Sequence, residues 1–177
     1  MLTLDQFRSA ASFARDGSLF PDSPWHGELH WRGVAAQGLL ICDMMNLDAS
    51  ARATAALFGA FHDCRRENED YDPEHGARGA EAMLSWAADN ADLDAGFLAE
   101  LETSMILHDG GETTDEVNVG LGWDADRSLL TRVGISPSFA FFSVIHGDHF
   151  IDLIDTGFEI NKSAPDWDAI WLSAFGA

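Results

Sequence analysis

The amino-acid sequence predicts an all-α protein, and two features of the chain support this. Apolar residues recur at steps of three and four through the first two thirds of the 177 residues, which is the spacing of one face of an α-helix. Capping residues and prolines stand where these periodic stretches begin, and glycines stand near several of their ends. Since no Pro-, Gly- or Ser-rich linker divides the chain, we expect one domain over residues 1–177.

The first predicted helices follow one another along the N-terminal third. Residues 4–15 place Leu4 and Phe7 on one apolar side. A turn at residues 21–25 then leads into a helix over 24–45, with Ser23 as N-cap and Pro24 as its first residue. A third helix is predicted over 49–65, a span that ends in the polar residues after Phe61.

Further helices are predicted beyond an acidic loop. Asp72 and Pro73 are a typical helix start, since aspartate caps helices and proline suits the first helical position. Another helix over 93–107 should end before Gly110 and Gly111, because glycine commonly follows a helix.

The C-terminal third gives a less uniform pattern. Residues 117–135 favour a helix despite a β-branched start, while residues 139–154 are compatible with a buried helix or a strand. Residues 164–175 predict a closing helix with Trp167 and Phe175 facing inward.

Composition limits the cellular setting that we expect. Hydrophobic residues make up 46% of the chain, yet the apolar runs are far shorter than the ~20 residues of a membrane helix. The N-terminus has no pattern of a secretory leader, and Cys42 and Cys64 have no paired spacing. We therefore expect a cytoplasmic protein that does not bind membranes.

The chain is strongly acidic, with a formal net charge of −20. A surface of this charge repels nucleic acid polymers and anionic membranes unless a local cation reverses the field. We accordingly expect a small-molecule partner, and the sequence gives no indication of the oligomeric state.

Histidines and carboxylates recur near the ends of the predicted helices. Nitrogen and oxygen donors in this mixture suit a divalent transition metal, whereas oxygen donors alone would suit magnesium or calcium. The spacing matches no compact metal motif, and scattered histidines of this kind are more often capping or core residues. The set consists of His30, His62, Asp63, His75, His108 and Asp126.

Four stretches of residues 20–136 carry a family resemblance: "SPWHGELHWRGV", "FHDCRRENEDYDPEHGARGAE", "HDGGETTDE" and "WDADRSLLTRVGI". In their order they resemble the HD-domain superfamily of metal-dependent phosphohydrolases, and in particular an uncharacterised bacterial branch of it. The resemblance implies an HD-domain-like helical bundle. It also implies hydrolysis of a small phosphorylated molecule, a nucleotide being one candidate.

The resemblance also implies roles for the ligand set. His30, His62, Asp63 and Asp126 match the ligands of one divalent ion. His75 and His108 match positions that hold a second ion in two-metal members. One ion or two remain alternatives, and manganese, cobalt, nickel, zinc, iron and magnesium are all candidate metals.

The residues after the His-Asp pair are assigned to catalysis and substrate binding. We expect Asp63, Arg66 and Glu67 to act in catalysis, and Arg65 and Arg66 to clamp the substrate phosphate. Some superfamily nucleotidases have a glutamate three residues after the aspartate, where this chain has Arg66 and carries Glu67 next. The alternative is therefore a non-catalytic nucleotide- or ligand-binding regulatory module of the same fold.

For several further residues the sequence leaves two possible roles. His26 is either a ligand four residues before His30 or a helix-start contact. Asp72 is a helix cap, a hydrogen-bond partner of His75, or both. Asp124 is an alternative to Asp126 as the metal ligand. Arg127 contacts substrate or balances local acids, and the histidines of residues 146–149 are expected to be loop residues.

Overall fold

The computed structural model describes residues 2–176, and this part of the chain contains α-helices and short 3₁₀ helices but no strand. The all-α expectation is confirmed for these residues. Two 3₁₀ helices cover Leu130–Val133 and Phe139–Phe141. The α-helices of the described residues are α1 (Leu4–Asp16), α2 (Glu28–Met45), α3 (Ala49–Phe61), α4 (His75–Asn90), α5 (Ala95–Leu107), α6 (Val117–Ser128), α7 (His149–Ile160) and α8 (Trp167–Phe175).

Helix α3 occupies the centre of the fold. Its sequence, ASARATAALFGAF, is apolar on nearly all sides, and a helix of that composition is stable only when it is surrounded by protein. It contacts α1, α2, α4, α5, α6 and α8, and Leu57, Phe58 and Phe61 are fully buried. Asp48 caps its N-terminus by accepting a hydrogen bond from the Ala51 backbone N–H at 3.0 Å.

Helices α2 and α3 run antiparallel and approach closely at two glycines. A Cβ on Gly38 would lie 2.7 Å from the Cβ of Ala55, and one on Gly59 would lie 2.6 Å from the Cβ of Ala35. Both positions therefore need glycine for this helix separation. The antiparallel arrangement places the start of α2 beside the end of α3.

The remaining helices bring three more helix ends to the same place. Helices α4 and α5 pack against each other, and α6 packs against α2, α3 and α5. The start of α4, the end of α5 and the last turn of α6 lie beside the α2–α3 end, because His75 contacts His108 and Asp63, and His30 contacts Asp126. This end of the helical bundle carries the predicted ligand set.

Several helix boundaries differ from the prediction, and α6 ends at Ser128, seven residues before the predicted end at 135. Helix α2 begins at Glu28 because the Ser23 hydroxyl accepts from the backbone N–H groups of Trp25 and His26, which closes a separate turn. Helix α3 ends at Phe61, four residues before the predicted end at residue 65. Helix α4 begins at His75 because the carboxylate of Asp72 is engaged elsewhere and does not cap it.

The segment of ambiguous pattern is mostly irregular and ends in a helix. Residues 139–141 form a 3₁₀ turn, and α7 begins at His149. The aromatic rings of Phe142 and Phe150 pack edge to face with 5.0 Å between their centroids. In α8, Phe175 is buried and Trp167 is half-buried against the core. Among the helices of residues 2–176, none combines the length and apolarity that crossing a membrane requires.

Candidate metal centre

The first group of candidate ligands consists of His30, His62 and Asp126. The Nε2 atoms of the two histidines lie 3.3 Å apart, and His30 Nε2 lies 3.2 Å from Asp126 Oδ1. His30 stands in the first turn of α2, His62 follows the last residue of α3, and Asp126 is near the end of α6. These three side chains could hold one metal ion, because their donor atoms lie within 4.8 Å of one another.

The second group consists of Asp63, His75 and His108. His75 Nε2 lies 2.9 Å from His108 Nε2 and 3.2 Å from Asp63 Oδ1. His75 is the first residue of α4, and His108 directly follows α5. All three residues are buried, and this group could also hold a metal ion.

Asp63 lies between the two groups. Its Oδ1 faces His75, while its Oδ2 is 3.7 Å from the Nε2 atoms of both His30 and His62. One carboxylate therefore presents one oxygen to each group. A bridging carboxylate in this position suits two ions held close together.

The histidine tautomers support a cation at the second group. His75 Nδ1 donates to the Asp72 carbonyl oxygen, and His108 Nδ1 donates to the Met105 carbonyl oxygen at 2.7 Å. Because a carbonyl can only accept, both Nδ1 atoms carry the proton and both Nε2 atoms carry a lone pair. Two lone pairs facing each other at 2.9 Å repel, and a cation between them removes that repulsion.

The first group is held in a similar way. His62 Nδ1 donates to the Phe58 carbonyl oxygen at 3.1 Å, which leaves its Nε2 free to bind a metal. His30 Nδ1 is buried without a hydrogen-bond partner among the described residues. Both groups thus fit divalent ions by donor type and by the orientation of their free nitrogens.

Burial sets the protonation of the histidines. It lowers the pKa of His30 to about 4, with the charge of Arg132 acting in the same direction, and it lowers the pKa of His62 to about 3. Burial also lowers the pKa of His75. These imidazoles are consequently neutral near pH 7, which is the form that binds metals.

The two carboxylates are ionised in spite of their burial. Burial alone would raise the pKa of Asp63, but the adjacent His62 and the hydrogen bond with His26 hold it well below its usual range. Burial likewise opposes ionisation of Asp126, and the charge of Arg132 outweighs it and lowers the pKa of that carboxyl. Both side chains are therefore anionic ligands.

His26 and Arg66 hold Asp63 from the outer side. His26 Nδ1 lies 3.1 Å from Asp63 Oδ2, and Arg66 Nη1 donates to Asp63 Oδ1 at 3.2 Å. The other donors of Arg66 go to the carbonyl oxygens of Asn68 and Asp70. The guanidinium that was predicted to clamp phosphate is thus used to orient a ligand and to fix a loop.

Arg132, which the sequence patterns did not single out, lies at the site. Its Nη2 is 3.4 Å from Asp126 Oδ1, its Nε donates to the Trp25 carbonyl oxygen, and its side chain is only 9% exposed. Its Nη1 is buried and has no partner among the described residues. Arg132 therefore places a second positive charge at the cleft, beside that of Arg66. The only sequence signal for it was the position of an arginine six residues after Asp126.

Arg65 and Glu67 are not brought to the ligand groups. Arg65 donates to the carbonyl oxygens of Phe13 and Ala14 and lies over the Phe13 ring, so it closes the end of α1. The Glu67 side chain is 69% exposed and turned towards Arg78. The sequence assigned them to phosphate binding and catalysis, but the chain turns after Asp63 and points both away from the cleft.

Asp72 supports the second group through its backbone. Its carboxylate accepts from the Glu67 backbone N–H at 2.8 Å and from Arg78 Nη2 at 2.6 Å. Its carbonyl oxygen accepts from the Nδ1 of His75. The residue therefore orients a histidine ligand, although the expected cap is absent.

Asp124 and Arg127 hold the segment that follows the second 3₁₀ helix. Asp124 is fully buried and accepts from the backbone N–H groups of residues 143–145 at 2.7 to 3.0 Å. Arg127 Nη1 donates to the carbonyl oxygens of Glu112 and Phe141. Asp124 belongs to neither candidate ligand group of the described residues, whereas Asp126 belongs to the first.

Replacing Asp124 by asparagine is expected to lower the stability but not the metal content. The amide would turn N–H donors towards backbone N–H donors, so we expect a loss of about 3 kcal/mol in the free energy of unfolding. Urea unfolding and elemental analysis of the same sample measure the two quantities. A variant that is as stable as the wild type but has lost metal would instead make Asp124 a ligand.

Four of the candidate ligands line a cleft of about 220 Å³, namely Asp63, His75, His108 and Asp126. The cleft is also lined by His26, Arg66, Asp109 and Arg132. The histidines of residues 146–149 belong to neither three-ligand group found in the described part of the chain. His149 begins α7.

The helical framework and the buried His/Asp groups define an all-α protein that could hold divalent metal ions. Comparison of the chain with protein-family models, with curated proteins and with solved structures gave no match.

Proposed function

We propose that the protein is a metal-dependent phosphohydrolase with an HD-domain-like helical arrangement, and that it acts on a small phosphate monoester. The observation that carries the proposal is the pair of ligand groups that Asp63 links beside a cleft. Six candidate ligands come from five separate segments of the chain, and their order resembles that of the HD superfamily. This order supports the same assignment. The acidic chain would otherwise repel a phosphate, so local positive charge is required.

The chain would hold two divalent ions, one in each ligand group. Such ions, when bound, would lower the pKa of a coordinated water and neutralise charge on a phosphoryl oxygen. Asp63 would be shared between the groups, and His26 and Arg66 would keep its two oxygens in place. The mixture of imidazole and carboxylate donors favours manganese, iron, cobalt, nickel or zinc over magnesium.

Arg132 is the residue that we assign to the substrate phosphoryl group. It lines the cleft together with Asp126, and its buried Nη1 has no hydrogen-bond partner among the described residues. A guanidinium N–H that donates to a phosphoryl oxygen both positions the group and offsets its charge, and in Arg132 the Nη1 would supply that donor. Arg66 cannot serve in the same way while its donors are used on Asp63 and the loop carbonyls.

The proposed reaction converts a phosphate monoester and water into an alcohol and inorganic phosphate. The water oxygen forms a bond to phosphorus, and the bond between phosphorus and the ester oxygen breaks. A proton from the water ends on the departing oxygen. The side chains of the site position the ester and hold charge at the phosphoryl group during this exchange.

A screen of phosphate monoesters against manganese, iron, cobalt, nickel, zinc and magnesium tests the proposal. Protein stripped with a chelator should be inactive, and adding back one of the first five metals should restore phosphate release. Nucleoside monophosphates and phenyl phosphate should both be included. If no combination releases phosphate above the stripped protein, the assignment as a hydrolase is wrong.

Replacing Arg132 by glutamine should lower kcat/KM by about 100-fold, a typical cost of removing a charged donor to a phosphoryl group. Arg65→Gln is the comparison variant, because Arg65 is an arginine near the site whose guanidinium is held by α1. We expect that variant to keep its activity. Equal losses in the two variants would argue against a specific role for Arg132.

A second candidate is a ligand-binding module that does not turn over its ligand. The exposure of Glu67, the expected acid, is the observation that favours it. Such a module would bind a phosphate ester saturably in the presence of metal and release no phosphate. Turnover in the screen would exclude this alternative.

A further inference from the structure

A second pocket of about 330 Å³ opens directly beside the metal centre. His108, Asp109 and Asp126 line both this pocket and the cleft, so the two spaces adjoin. The walls furthest from the ligands are mostly apolar. We call this space the apolar pocket, and its apolar walls are Leu130, Ile135, Phe141 and Phe142.

The wall of the apolar pocket is fixed by the helix that carries a ligand. Arg127 in α6 donates to the Phe141 carbonyl oxygen at 2.6 Å, and Asp124 in the same helix accepts from the N–H groups of residues 143–145. Phe142 is buried and packs against Phe150. These contacts tie the Phe141–Phe142 wall of the pocket to the helix that carries Asp126.

Apolar side chains remain open to water at this pocket. Ile135 is 54% exposed and Phe141 is 49% exposed. In a chain with a net charge of −20, apolar surface next to a buried charged site indicates a place where an uncharged group is bound. The pocket volume lies within the range of small-molecule sites, roughly 300 to 1,000 Å³.

The charges around the pocket argue against a second anionic group on the ligand. Arg127 lines the pocket, but its guanidinium donates to the carbonyl oxygens of His108, Glu112 and Phe141. Asp109 lies at the junction with the cleft and is exposed. A second phosphate or a carboxylate would meet this acid and would compete for donors that are already engaged.

We propose that the apolar pocket binds the organic group of the substrate, and that the substrate class is monophosphate esters of apolar or flat aromatic alcohols. This inference rests on the proposed function, because it takes the phosphoryl group to lie at the metal centre. The phosphate and the ring would then occupy adjoining spaces, one charged and one apolar. Diphosphates and phosphorylated acids would be excluded by charge, and small polar esters would gain no contact in the pocket.

Binding of phosphonates to the metal-loaded protein tests this without turnover. Phenylphosphonate and methylphosphonate carry the same charged group, and only the first has a ring to place in the pocket. Titration calorimetry should find phenylphosphonate about 10- to 100-fold tighter, the range expected for burying one aromatic ring. The Ile135→Asn variant, which makes the wall polar without adding a charge, should lose most of this difference while its metal content stays unchanged.

The matched control is Leu172→Asn, which makes a similar change at a 63% exposed residue of α8 that does not line the pocket. It should bind both phosphonates as the wild type does. Equal affinities for the two phosphonates in the wild type, with phosphomonoesters still hydrolysed, would overturn the inference and leave the proposed function standing. If neither phosphonate binds the metal-loaded protein and no ester is hydrolysed, both are overturned.

Discussion

Replacing Asp63 by asparagine is expected to remove bound metal and with it any hydrolytic activity. The side chain presents one oxygen to each ligand group, so neutralising it removes a negative ligand from both. Substitution of a residue that only orients a ligand costs about 10- to 100-fold in metal affinity. Loss of the shared ligand itself should therefore exceed about 100-fold.

The thermal response to metal provides an independent measure of the Asp63 variant. A metal at 100 times its Kd stabilises a folded protein by about 2.7 kcal/mol, which the wild type should show as a rise in Tm. Asp63→Asn should show little rise at the same metal concentration. Elemental analysis should find the metal lost from the variant and present in the wild type.

Asp109→Asn is the matched control for the Asp63 variant. Asp109 lines the same cleft and would lose the same charge, but it is exposed and belongs to neither ligand group in the described residues. It should keep its metal and its thermal response. An Asp63→Asn protein with the full metal content of the wild type would show that the centre is assigned to the wrong residues.

The placement of the candidate ligands was predictable because it depends on helix ends. Apolar periodicity located the helices well enough to put His30 near the start of one and His62 and Asp63 near the end of the next. Boundary errors of a few residues did not matter, since each ligand remains near a helix end when the boundary moves. What periodicity could not supply is the grouping, which depends on how the helices pack.

The residues around the ligands were harder to predict because they depend on loop conformation. Arg65 and Arg66 are adjacent in sequence, yet one guanidinium closes α1 and the other contacts Asp63. Arg132 stands in a 3₁₀ turn, where side-chain direction does not follow the helical repeat. Direction in such segments is set by the hydrogen bonds of the folded chain, and no spacing rule gives these.

A substitution at Gly76, which lies where α4 crosses the end of α5, is also expected to have a large effect on stability and metal binding. A Cβ on Gly76 would clash with the Met105 carbonyl oxygen and would lie 3.1 Å from His108 Nδ1. That carbonyl is the acceptor that fixes the tautomer of His108. Gly76→Ala should therefore displace His108 as well as strain the packing, and overpacking of this kind costs about 1–3 kcal/mol of stability.

Gly76→Ala should distinguish the two ligand groups, because only the second contains His108. We expect the wild type to bind two equivalents of metal and the variant to bind one, with a lower urea midpoint. Gly110→Ala is the control, since a Cβ there would meet its nearest atom at an ordinary 3.4 Å. Two equivalents and unchanged stability in Gly76→Ala would contradict the expected clash. Loss of both ions from a protein that is still folded would instead mean that the groups bind metal only together, with Asp63 coupling them.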